Sequence, residues 1–158
     1  MTRFARLVVV VSVLAATPMA AAAGSMDAWV GTWTLNVAKS TFASGPPPSA
    51  VTTIARLDVV NGVLQITVDA IDEAGHAVHT VRAVVFDGAE HGGHGTSNTW
   101  IYRWLDATHY EWVTKVDGRV TTTTRLELSP DGLIQTLRTK GRDARGENVD
   151  NVIIFERR

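Results

Sequence analysis

Three dipeptides that accept positive φ, Asn61-Gly62, Asp87-Gly88 and Asp117-Gly118, recur along the chain and force tight reversals of the backbone. Glu73-Ala74-Gly75 and Ser129-Pro130-Asp131-Gly132 supply slightly longer turns of the same chemistry. Between these turns lie runs rich in Val, Thr, Ile, Trp and Tyr, side chains that fit a pleated, half-buried surface. The spacing predicts strands over 28–37, 51–60, 63–71, 76–86, 99–105, 109–116, 119–128, 133–140 and 148–156. Outside the N-terminal leader, no stretch shows an apolar period near 3.6 with helix caps. The expected class is all-β: an antiparallel up-and-down meander of about 8–9 strands.

Several of these runs alternate. Val120, Thr122, Thr124, Leu126 and Leu128 share one face of their strand, and Leu64, Ile66 and Val68 share one face of theirs. Tyr110, Trp112, Thr114 and Val116 oppose His109, Glu111 and Lys115, which places His109 and Glu111 on an outward face. One dry face and one wet face suit a sheet closed around its own interior. Nine long strands left flat would expose two edges, a hazard that closure into a barrel removes. A β-sandwich satisfies the same alternation and stands as the alternative. The series of tight hairpins without a long crossover favours the barrel. Two passages do not read as strand: Lys39 to Ser49, with Gly45-Pro46-Pro47-Pro48, and the glycine-rich loop Ala89 to Asn98.

The N-terminus sets an expected compartment. Arg3 and Arg6 precede the apolar run Leu7–Ala16, broken only by Ser12, and small residues follow from Ala20 to Ser25. This is the pattern of a cleavable signal peptide over 1–23, leaving a single domain over 24–158. The apolar run is too short to cross a ~30 Å hydrocarbon core, so no stable membrane span is expected after cleavage. Export places the domain in the periplasm or outside the cell. The chain has no cysteine, which excludes lipid attachment at a cysteine, disulfides and cysteine-ligated zinc. Without the leader's two arginines the charged residues are 13 basic against 16 acidic, a net charge of −3. No basic patch remains that could track a phosphate backbone, so nucleic acid is not an expected partner.

Two passages carry likeness to known proteins. The phrase Gly31-Thr32-Trp33-Thr34-Leu35-Asn36, then Lys39-Ser40-Thr41-Phe42 and Gly45-Pro46-Pro47-Pro48, resembles the opening of uncharacterised exported bacterial proteins with a lipocalin-like (calycin) β-barrel. Their C-terminal phrase is matched here by Lys140-Gly141 through Gly146, Val149 and Asn151-Val152. The resemblance implies that Trp33 packs across the closed end of a barrel. It brings no activity with it. Gly31-Thr32-Trp33, Asn36 and Ser40-Thr41-Phe42 also look like the first strand of the avidin family, whose Asn and Ser bind biotin. The spacing from Trp33 to Asn36 differs by one residue, and a one-residue slip reverses the face of a strand side chain.

Candidate chemistry is sparse. Trp100, Tyr102 and Trp104 share one parity, and Tyr110 and Trp112 share a face of the next strand. They would either give a cavity an aromatic wall for an apolar or planar ligand or simply fill a small barrel. Arg82 lies on the parity of Val78, Val84 and Phe86. If that face is interior, its guanidinium could receive a ligand carboxylate. The opposite face, with His79, Val81 and Val85, is equally apolar, so the two are not told apart. His91 and His94 could hold zinc with Glu90, or be solvated loop histidines. His76 and His79, three apart on one strand, point to opposite faces. No thiol, nucleophile elbow or phosphate loop is present, no catalytic residue stands out, and no cofactor is implied. Three functions fit: a binding module for a small apolar ligand or an envelope partner, a metal-assisted hydrolase built on the His91/His94 loop, and a structural envelope domain with a filled core. The first is the expected one, and the domain is read as a binder rather than an enzyme.

Overall fold

Where the sequence demands positive φ, the backbone supplies it: Asn61 has φ 52°, and Asp117 and Gly118 have φ 50° and 74°, the pair a type I′ hairpin needs. The computed structural model describes residues 26–43, 54–61, 63–71, 75–92, 97–143 and 145–158. The expected signal peptide over 1–23, the passage Gly45–Pro48 and His94 lie outside the described residues. The strands are β1 (Gly31–Leu35), β2 (Ile54–Val60), β3 (Val63–Ile71), β4 (Ala77–Val84), β5 (Glu90–Gly92), β6 (Asn98–Trp104), β7 (His109–Val116), β8 (Arg119–Leu128), β9 (Ile134–Arg142) and β10 (Asn148–Arg157).

These strands form one antiparallel sheet in the order β4-β3-β2-β1-β10-β9-β8-β7-β6-β5. The first and last strands pair, Trp33 opposite Arg157, and curl the meander into a barrel. Neighbours in sequence pair throughout except β4 and β5, which are the two sheet edges. The hydrogen-bonded ladder therefore stays open at one seam, and the expected loss of both edges is incomplete. Asp87-Gly88 lies at this seam rather than in a hairpin between paired strands; Gly88 N–H instead donates to the Tyr102 carbonyl at 3.2 Å.

Other boundaries differ from the sequence expectation for local reasons. The stretch expected as one strand over 28–37 divides into a 3₁₀ turn at Met26–Trp29, β1, and a second turn at Val37–Lys39. Asn36 causes the second break, because its side-chain oxygen accepts from Lys39 N–H at 3.0 Å and offers the backbone an alternative to the ladder. Part of the expected loop is a strand: β5 pairs Glu90 with Ile101 and His91 with Trp100. A register shift between Thr114 and Lys115 moves Val120 off the interior row, leaving it 62% exposed, while Thr124, Leu126 and Leu128 stay buried. Gly141 sits opposite that region, where a Cβ would lie 2.1 Å from the Thr121 carbonyl oxygen.

One barrel end is closed by aromatic side chains. Trp29 precedes β1, yet its ring lies 4.7 Å from Tyr110 on β7 and 6.1 Å from Trp104 on β6. The segment before β1 must therefore cross beneath the barrel. The sequence expectation put Trp29 at the start of the first strand; this crossing buries it completely. Trp33 is buried beside it and donates from Nε1 to the Trp29 carbonyl at 3.1 Å. Arg157 lies over the Trp33 ring at 4.3 Å and donates to the carbonyls of Ala28, Val30 and Gly132.

Candidate functional site

Above this plug the interior is not filled. A cavity of about 200 Å³ remains. Ala55 and Leu57 of β2, Ile66 and Val68 of β3, Leu126 of β8, Leu137 of β9 and Phe155 of β10 give it an aliphatic and aromatic wall. They face inward because each strand's alternation presents its apolar row to the concave side. The polar lining comes from Thr80 and Arg82 on β4, Tyr102 on β6, Tyr110 and Trp112 on β7, and Gln135 on β9.

Pairing resolves the orientation of β4. Arg82 lies opposite Ile66 and Val84 opposite Leu64, so Thr80, Arg82 and Val84 share the interior face, while Val81 points out and is 51% exposed. The sequence left these faces equivalent because β4 is an edge strand with little burial on either side; Val84 is its one buried residue. Arg82 reaches across the open seam. Its Nη1 donates to the Tyr102 hydroxyl at 3.2 Å, and its guanidinium carbon stands 4.5 Å over the Trp100 ring. Among the described residues no carboxylate pairs with it. Desolvation raises the pKa of Tyr102, with Arg82 opposing the rise, and burial raises that of Tyr110 strongly. Both phenols are therefore neutral hydrogen-bonding groups at physiological pH.

The structure brings four of the five candidate ligand residues, Arg82, Tyr102, Tyr110 and Trp112, onto one cavity wall, with Trp100 set outside it beneath the guanidinium. Tyr102 and Trp112 are direct cross-strand partners with ring centroids 5.7 Å apart. Trp104 shares their parity but belongs to the plug, stacked on Phe86 at 4.3 Å. The aromatic residues thus divide, some lining a void and others filling the end. Gln135 escaped the sequence reading. Its one signal was shared parity with Leu137, too weak to mark an amide as interior.

Of the candidate metal-ligating set, Glu90 and His91 are described, and each is engaged by other side chains, while His94 lies outside the described residues. His91 Nε2 lies 2.9 and 3.0 Å from the Asp87 carboxylate oxygens. Glu90, on the opposite face of β5, accepts from Lys115 at 2.5 Å and Thr99 at 2.6 Å, which in that order hold its pKa below the usual value. Among the described residues no group of three His, Asp or Glu side chains could hold a metal ion. His79 rests on Asp69 at 2.7 Å, and Arg56 pairs with the same carboxylate. Glu111 faces outward as expected but is 2% exposed, because Arg103 and Arg125 flank it on the neighbouring strands and fold over it.

No protein-family model matches the chain, and no curated protein sequence matches it. Among solved structures it is similar to a mutant of the fluorescent protein UnaG, with a TM-score of 0.59 over 85% of this chain and 99% of that one, at 14% sequence identity. That likeness carries the fold, a lipocalin-like antiparallel barrel.

Proposed function

We propose that the protein is an exported lipocalin-like binding module that takes one small, largely apolar molecule into the barrel, with any acidic group of that molecule set against Arg82. The cavity carries this reading. At about 200 Å³ it exceeds the ~150 Å³ void that accepts benzene and falls below the ~300 Å³ at which drug-sized sites begin. A single ring or a short acyl chain is the matching size. Arg82 supports the acidic group, since its charge borders an apolar pocket and its partners among the described residues are a phenol and an indole ring. Arg3, Arg6 and the apolar run Leu7–Ala16 support export, and the likeness of Gly31–Phe42 to exported bacterial barrels points the same way.

Native mass spectrometry on protein purified from its own cells tests export and occupancy together. The expected species lacks the first 20–25 residues and carries a small co-purified molecule. Calorimetric titration tests the cavity directly. Benzoate should bind more tightly than toluene, and Arg82→Met should remove that preference while toluene still binds. Absence of saturable binding by both probes would end the reading.

A further inference from the structure

The cavity holds a polar group that neither the fold nor Arg82 explains. Gln135 is 3% exposed and lines the void, yet its Nε2 has no hydrogen-bond partner among the described residues. It is the second residue of β9, opposite Leu128 and Phe155 and next to the turn that receives Arg157. This places it toward the plugged end, while Arg82 stands at the seam on the far edge strand. Buried amides are almost always paired, and an orphaned donor is destabilising enough that a purely structural position would favour Leu or Met. The neighbouring walls are hydrocarbon: Leu126, Leu137 and Phe155. A ligand acceptor is the group that would answer the donor without loss of those apolar contacts.

We infer that Gln135 is a deep polar subsite that selects a hydrogen-bond acceptor, so the ligand class is a small carbonyl-bearing compound rather than a hydrocarbon. This rests on the cavity being the binding site and adds a second recognition point to Arg82. The apolar body lies between two poles: the seam cation at one and the amide donor at the other. A site that leaves a buried donor unmet rejects an analogue lacking the acceptor, which gives discrimination that apolar packing alone does not.

Toluene and acetophenone, which share the phenyl ring and are both uncharged, separate Gln135 from Arg82. In the wild-type protein acetophenone should bind about tenfold more tightly than toluene, the ratio expected of one net hydrogen bond. Gln135→Leu and Gln135→Met should each abolish that ratio while still binding toluene, and each should raise the Tm of the unliganded protein by a few degrees by removing the orphaned donor. Equal wild-type affinities, or a ratio that survives in both variants, would overturn the subsite while leaving cavity binding intact. Failure of the wild type to bind toluene, acetophenone or benzoate would instead remove the cavity reading itself and this inference with it.

Discussion

Ala55→Leu should stabilise the protein and block its cavity. Ala55 is 7% exposed, lies on β2 between Trp33 and Val68 in register, and presents its methyl group to the void. Leucine adds three carbons. At about 0.8 kcal/mol per buried methylene their transfer is worth about 2 kcal/mol. The same change fills about a third of a 200 Å³ cavity, and at about 24 cal/mol per Å³ this gives a gain of similar size. In a core without that space the added carbons would cost about 1–3 kcal/mol through overpacking. The sign of the change therefore decides. Urea unfolding of both proteins, with an unchanged slope, reads it as a rise in midpoint. Benzoate titration alongside should show affinity weakened tenfold or more. A fall in midpoint would refute the void, and a rise with unaltered benzoate affinity would place the ligand elsewhere.

Trp33→Ala should destabilise by about 3–5 kcal/mol, because a fully buried indole is lost from the plug together with the surface on which Arg157 rests; a loss near zero in thermal or urea unfolding would remove it from the core. Glu111 should make stability depend on acid. Desolvation raises its pKa, but hydrogen bonds from Arg103 and Arg125 outweigh this and hold it below the ordinary value. A carboxylate lowered in the folded state contributes stability above its unfolded pKa and loses it as pH falls through the folded one. Glu111→Gln should then cost about 1–3 kcal/mol at pH 7 and progressively less as pH falls below the ordinary carboxylate range. A mutant deficit that does not shrink as pH falls would refute the ionised pairing.

The amino-acid sequence by itself determined the all-β meander. Backbone sterics act locally, so Asn61 and Asp117-Gly118 reverse the chain whatever surrounds them, and period-two alternation in 63–71 and 119–128 assigns faces as soon as one side is dry. The tryptophan of the first strand and most of the aromatic wall were legible for the same reason. Their parity is a property of the strand, although it could not tell Trp104 in the plug from Trp112 on the cavity. Only the tertiary structure decided how much of the interior is empty, because void volume depends on curvature and on which strands meet across the barrel. It placed Trp29 beneath the barrel and Val120 off its row. It left the seam open between β4 and β5 and brought Arg82 over Trp100. That the Gln135 Nε2 has no partner among the described residues was settled there too. A donor is satisfied or orphaned by its neighbours in space, here Leu128 of β8 and Phe155 of β10, and alternation along β9 does not say what those neighbours are.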